Sequence, residues 1–449
     1  MPRTALQDVY MAKPKPDPLR PAPIHKLTGP VRRFLQIEAM SGVVLLLATI
    51  LALALANGGA AQAMHDFWHT KLKLGVGTWD FSKPLEFWIN DGLMTVFFFV
   101  VGLEIKREIM VGELRSIRKA ALPIVAALGG MFVPAGVYLA FGHSGPAQRG
   151  WGIPMATDIA FVVGILAAFG KRVPFGLKIF LLSLAIADDI GAILVIAVAY
   201  TEQLNMLMLG IAAGGLALMV LMNRLGVRAV AAYFAVGAVV WYATYQSGIH
   251  PTIAGVAIGL LTPHTAWLRR EALSLALDDV SGQICDQPED LELAPADVSM
   301  LREAAREVVS PLQRLEDRLH PWVAFVIMPM FALANAGVVV NVGSVGQPVA
   351  LAVAAGLLLG KVLGIVLFSW LAVKFKLAVL PSEVTWLHIV AGGFLGGIGF
   401  TMSLFVSALA FVNSPELLAD AKTGVLLGSA LSAVAGAVLL ALAKPKVDG

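Results

Sequence analysis

Two adjacent aspartates, Asp188 and Asp189, stand near the centre of the run 177–200, LKIFLLSLAIADDIGAILVIAVAY. That run is long and apolar enough to cross a bilayer. A charged carboxylate at mid-membrane costs about 2.5–3.5 kcal/mol on insertion scales. Two side by side also repel each other. Such a pair suits a site that holds a cation, or protons, or both in turn. Neighbouring residues on a helix point about 100° apart. The two carboxylates therefore do not face one neighbour together: one is expected to face the cation, the other a second partner such as Lys361.

Lys361 lies near the centre of another apolar run, GLLLGKVLGIVLFSW. Asp158 follows Thr157 inside WGIPMATDIAFVVGILAAFG (151–170), with Gly152 and Pro154 just before it. Gly and Pro interrupt a membrane helix and free backbone groups, which is tolerable only where they line a cavity or meet protein. The densest glycine cluster, GGFLGGIG at 392–399, precedes Phe400-Thr401-Met402-Ser403 and also reads as an interrupted helix. Carboxylate, Thr hydroxyl and freed carbonyl are hard oxygen ligands that suit sodium or a proton rather than a soft metal. Each feature has a structural alternative. The alternative for Asp158 is a cap on a broken half-helix, for Lys361 a fixed counter-ion, and for the glycine run close helix packing. The adjacent aspartates are hardest to explain that way.

The rest of the chain must hold these groups in a membrane. Of its 449 residues, 58% are hydrophobic and 14% charged, far from a soluble composition. The pattern predicts an all-α polytopic protein of about twelve spans, near 34–56, 86–106, 120–141, 151–170, 174–200, 205–223, 228–245, 248–263, 321–342, 348–373, 386–412 and 418–443. Spans three to five and ten to twelve form two units entering the membrane in opposite senses, each with an interrupted middle helix. Arg32 and Arg33 precede the first span, and alternate loops carry Lys or Arg, which places both termini in the cytoplasm. The loop 57–85 is the exception, with Lys71, Lys73 and Lys83 outside and Trp68, Trp79 and Trp88 suited to an interface. Residues 1–33 are Pro-rich and basic and are expected to be disordered, without the pattern of a cleaved signal. Residues 34–443 read as one transmembrane domain, interrupted at 264–320 by a cytoplasmic insertion with an acidic centre, and 444–449 as a cytoplasmic tail. Within the insertion, a helix is expected after Pro295, and Ser310-Pro311-Leu312-Gln313 reads as the capped start of another. Cys285 is the only cysteine, which excludes intramolecular disulfides and cysteine metal clusters.

Several stretches resemble one family closely: VGLEIKRE (101–108), ATDIAFVVGILAAFG (156–170), VPFGLKIFLLSLAIADDIGAI (173–193), SGIHPTIAGVAIG (247–259), LHPWVAF (319–325), GLLLGKVLGI (356–365) and GGIGFTMSLF (396–405). They are similar to NhaA-type bacterial sodium/proton antiporters, from about residue 30 to 443 apart from 264–311. The resemblance implies an inner-membrane carrier exchanging sodium or lithium for more than one proton per ion. It implies a cation and proton site on Asp188 and Asp189, with Asp158 and Thr157 on the interrupted fourth helix. Lys361 would pair with Asp188 and balance half-helix dipoles where the fourth and eleventh helices cross. Glu104, Arg107, Glu108, Glu316 and His320 match a cytoplasmic pH-sensing surface, with an interfacial ion-pair cluster as the alternative. Gln313 and Asp317 depart from the basic and His residues common there. A family-like homodimer would use 57–85. Paired interrupted helices mark transporter sites in general, although that rule was framed partly on this same family.

The competing class is a sodium-coupled solute symporter, which needs a larger polar pocket than Thr157, Asp158, Thr401 and Ser403 offer. Adjacent carboxylates competing for protons suit carrier turnover better than a channel. No GxxxxGK[ST] motif indicates ATP drive. The expectation is a transporter, not an enzyme, with no cofactor and no nucleic-acid partner; its partners are sodium, lithium, protons and the lipid bilayer. His250, at the outer end of the eighth span, reads either as a pH modulator or as an interfacial histidine.

Overall fold

The computed structural model describes residues 38–76, 79–142, 144–201, 204–227, 229–265, 309–338, 342–381 and 383–443. The expected N-terminal segment, the acidic centre of the insertion, the helix after Pro295 and the tail lie outside the described residues.

Helices dominate. In chain order they include α1 (Glu38–Asn57), α2 (Ala61–His69), α3 (Leu85–Met110), α4 (Ile117–Ala140), α5 (Ile159–Phe169), α6 (Phe175–Ala199), α7 (Met206–Arg224), α8 (Val230–Gln246) and α9 (Thr252–Leu261). They continue with α10 (311–335), α11 (Pro348–Lys374), α12 (Trp386–Gly396), α13 (Phe400–Ala410) and α14 (Pro415–Leu442). Among the described residues, eight helical spans are long and apolar enough to cross a membrane, or nine if the bent pair α12 and α13 counts as one. By length and apolarity alone, the expected twelve is not reached. α8 and α9 are shorter helices, and α10 begins with charged turns.

α6 runs unbroken because its Leu- and Ile-rich stretch has no proline and its first glycine since Gly176 is Gly191, beyond the aspartates. The fourth expected span behaves differently. Gly145–Met155 forms a 3₁₀ run rich in Gly and Pro, residues 156–158 are extended, and α5 begins only at Ile159. Two tyrosine hydroxyls satisfy carbonyls of the 3₁₀ run: Tyr138 donates to Ala147 (2.7 Å) and Tyr200 to Arg149 (2.8 Å). This meets the requirement that freed backbone groups inside a membrane find protein partners. The glycine run both packs and breaks. A Cβ on Gly393 or Gly396 would press on Val362 or Ile365 of α11, and α12 and α13 meet at a 44° bend over 397–399.

α4 and α11 touch backbone to backbone at Gly129 and Gly364. α11 also contains a π-helical turn, Gly356–Gly360, that leads directly into Lys361. Such turns re-aim the following side chains.

One element lies outside the all-α expectation. Lys71–Val76 (β1) and Trp79–Pro84 (β2) form an antiparallel hairpin in which Lys71 faces Pro84 and Lys73 faces Ser82. The alternation Lys71-Leu72-Lys73-Leu74 is a strand signal that the apolar spans overshadow. Phe81 anchors the hairpin against Phe87, Trp88, Tyr242 and Tyr245. Ser310 caps α10 as expected, accepting from the Gln313 amide at 3.2 Å, with Pro311 in the first turn.

The Gly129–Gly364 contact makes a sharp prediction. A Cβ on Gly364 would lie 2.0 Å from the Gly129 carbonyl oxygen, whereas one on Gly210 of α7 would meet nothing within 4 Å. Gly364→Ala should lower stability by about 1–3 kcal/mol, as overpacking does. Gly210→Ala should leave it unchanged. Thermal melting in detergent checks both, and equal melting of the two variants would contradict the contact.

Candidate functional site

The site is built where α6, α11 and the two interruptions converge. Lys361 is fully buried, and its Nζ donates to both oxygens of Asp188, 2.8 Å to Oδ2 and 2.9 Å to Oδ1. It also donates to the Met155 carbonyl at the end of the 3₁₀ run. Asp189 is 4% exposed and, among the described residues, makes no hydrogen bond or ion pair. Its electrostatic neighbours are Asp188, Glu104, Asp158 and Lys361. The helical offset between the two aspartates thus separates a paired carboxylate from a free one.

Asp158 does what its structural alternative requires, for two helices at once. Its Oδ1 accepts from the Ala160 amide at 3.1 Å, capping α5. Its Oδ2 accepts from the Thr401 amide at 3.0 Å and from the Thr401 hydroxyl, holding the start of α13. A carboxylate suits both places, because helix N-termini carry partial positive charge. Its own amide donates to the Ile398 carbonyl at 2.7 Å, and the Thr157 hydroxyl donates to the Gly396 carbonyl at 2.8 Å. Ser403 of α13 donates to the Ile153 carbonyl at 2.8 Å. The two interrupted segments therefore cross in direct contact, stitched by backbone as much as by side chains. Lys361 compensates the carbonyl end of the 3₁₀ run, and Asp158 the amide ends of α5 and α13.

The chemistry available is that of hard-cation exchange. A buried carboxylate without a partner lies beside a buried carboxylate–ammonium pair, with backbone oxygens and a threonine hydroxyl close by. A cation drawing on both aspartates competes with Lys361 for Asp188, and a proton neutralises the same oxygens.

The other expected cluster forms in part. Arg107 at the end of α3 pairs with Glu316 of α10, which is 5% exposed with a second oxygen, Oε2, that has no hydrogen-bond partner among the described residues. Glu108 folds over Gly112, and Glu104 lies nearer the aspartates. His320, one helical turn after Glu316, is exposed and, among the described residues, makes no hydrogen bond or ion pair. At the opposite end of the molecule, His250 Nε2 lies 3.1 Å from Asp91 and its Nδ1 lies 2.7 Å from the Thr252 hydroxyl. His250 and Asp91 line a cavity of about 620 Å³ together with Arg149, Tyr200 and Phe405. Sequence reading passed over Asp91. Its signal was a carboxylate at the start of an apolar span.

These features define a multi-pass helical membrane carrier with an enclosed carboxylate–lysine site at the meeting of two interrupted helices. The chain belongs to the family described as Na+/H+ antiporter 1, whose model matches residues 32–440. Among curated proteins, the Na(+)/H(+) antiporter NhaA of Rhodopirellula baltica is 50% identical over 430 residues, covering 96% of this chain and 97% of that relative. The Na(+)/H(+) antiporter NhaA of Rhizobium meliloti is 48% identical over 424 residues, covering 94% and 96%. Na(+)/H(+) antiporter NhaA 2 of Pseudomonas putida strain F1 is 49% identical over 414 residues, covering 90% and 91%.

Glu316 makes a pH prediction. Burial pushes its carboxyl up; Arg107 opposes this and Asp317 adds to it. A raised pKa means that the folded protein binds this proton more tightly than the unfolded chain. Its stabilising contribution is full below the ordinary glutamate value of about 4.3 and is lost as pH rises toward the raised one. Parent protein should therefore lose stability relative to Glu316→Gln across that interval, and Arg107→Ala should extend the interval upward. Melting in detergent across a pH series checks this, and a difference of opposite slope would contradict it.

Proposed function

We propose that this protein is a secondary antiporter that moves sodium in exchange for protons, with Asp189 and Asp188 as the exchange site. One observation carries the assignment: an enclosed carboxylate without a partner stands next to one held by a buried lysine. Sodium and protons compete for these oxygens. Thr157 contributes a hydroxyl oxygen beside them, and Asp158 contributes negative charge while holding the two broken helices together. Lys361 keeps Asp188 compensated when no cation is bound, and a cation that uses both aspartates displaces it.

Lithium, equally hard, is a second substrate under this reading. More than one proton leaves per cation, so exchange is electrogenic. The end of the molecule bearing Arg107 and Glu316 faces the cytoplasm together with both termini, in keeping with the Lys- and Arg-rich loops there. The cluster at that end, Glu104, Arg107, Glu108, Glu316 and His320, tunes activity to pH. The hairpin at 71–84 serves a homodimer, its exposed Leu72 and Leu74 offering apolar surface.

The test is sodium-driven proton flux in proteoliposomes, with sodium, lithium and potassium added in turn. Parent protein should respond to sodium, with a half-saturation that weakens about tenfold per pH unit for each proton displaced while the site is protonated. An inside-negative voltage should speed sodium efflux. Asp189→Asn should abolish the flux in a folded protein, because the amide neither takes the proton nor balances the cation. Lys361→Ala should slow exchange and cost about 3–5 kcal/mol of stability, since it leaves Asp188 buried and unpaired. Normal flux in Asp189→Asn would refute the assignment.

A further inference from the structure

The start of α13 is held by two foreign side chains. Asp158 takes the Thr401 amide, and Ser429 of α14 takes the amide one residue earlier: Phe400 N donates to Ser429 Oγ at 3.1 Å. Gly399, at the cap position of α13, has no side chain to do this itself. One turn further along α14, Ser432 is fully buried and its hydroxyl has no hydrogen-bond partner among the described residues. It faces the same break, since a Cβ on Gly397 would lie 2.8 Å from Ser432 Oγ. The same Cβ would lie 2.4 Å from the Leu357 carbonyl oxygen, in the π-helical turn that leads to Lys361. α14 and the lysine-bearing helix α11 therefore both meet the break at Gly397.

We infer that Ser429 and Ser432 make α14 a third structural partner of the exchange site, as positioning residues rather than ligands. Ser429 fixes the first amide of α13, so that Thr401 presents its amide and hydroxyl to Asp158. Without that cap the first turn of α13 frays, and Asp158 loses donors that hold its charge. Ser432 is the second attachment. A buried hydroxyl without a partner is costly, and it is retained at a moving break where another arrangement supplies the partner. When 397–399 rearranges during turnover, a carbonyl freed there meets Ser432. No sequence pattern pointed to either residue, because both lie in an otherwise ordinary apolar helix, α14.

The inference rests on the antiport reading for its functional half, so its test has one arm that needs no transport. Hydrogen–deuterium exchange of a peptide covering 397–403 should speed up about tenfold or more in Ser429→Ala and remain near the parent rate in Ser429→Thr, which keeps the hydroxyl. In proteoliposomes, Ser429→Ala should raise the sodium half-saturation about three- to tenfold, the loss of one hydrogen bond. The double variant with Thr401→Ala should be no worse than Thr401→Ala alone. Ser432→Ala should leave resting hydrogen exchange unchanged and lower the maximal rate without moving the half-saturation. Parent-like hydrogen exchange in Ser429→Ala, or equal impairment in the Ala and Thr variants, would overturn the role of Ser429. A parent-like maximal rate in Ser432→Ala would overturn that of Ser432. Absence of sodium-driven flux in the parent would refute the antiport reading instead, and the hydrogen-exchange arm would still decide the Ser429 cap.

Discussion

The buried contact between Lys361 and Asp188 is the constraint on which the rest of the site depends. Taking an ammonium and a carboxylate out of water is expensive, and their attraction repays that cost only with good geometry and further hydrogen bonds. Lys361 has both. It spans the two oxygens of Asp188 and reaches the Met155 carbonyl. One side chain therefore ties together the unbroken helix α6, its own helix α11 and the end of the 3₁₀ run. The geometry is set from below by the π-helical turn Gly356–Gly360 and by the backbone contact of Gly364 with Gly129. A larger side chain at either glycine would move the lysine away from its aspartate.

Given that anchor, the interrupted helices become affordable in a membrane. A break leaves amides and carbonyls that lipid cannot satisfy. Here each break supplies partners for the other. The Asp158 amide meets the Ile398 carbonyl, the Thr157 hydroxyl meets the Gly396 carbonyl, and the Asp158 carboxylate meets the start of α13. Neither break is satisfied alone, which explains why two interruptions far apart in sequence come together. As a cap Asp158 is structural, and in the proposed exchange it also adds to the field at Asp189.

Much of this was legible before the structure was seen, and the reasons differ from residue to residue. Asp188 and Asp189 stood out because charge is expensive in an apolar run. Their division of labour followed from helical geometry. Gly152, Pro154 and the glycines of 392–399 marked the breaks through backbone propensity. Partner choice between helices was less accessible. The Thr401–Asp158 bond, the Asp91–His250 pair and the Ser429 cap depend on the rotation and depth of one helix against another, which periodicity does not encode. The hairpin at 71–84 was obscured for a different reason, since its alternation is short and lies between strong helical signals.

The contrast between rigid and interrupted elements gives the final step. α6 is continuous, the most enclosed of the long spans, and carries both aspartates on one frame. Residues 156–158 and 397–399 are irregular and held by a handful of hydrogen bonds. A carrier must bind one ion in two arrangements of nearly equal free energy, and packed helices are bistable rather than continuously deformable. Keeping the charged ligands on the stiff element and the exchangeable hydrogen bonds on the broken ones separates the two demands. In the proposed exchange, the carboxylates keep their mutual geometry while the protein around them rearranges, so what changes between arrangements is access to Asp189 and not the oxygens that meet the ion.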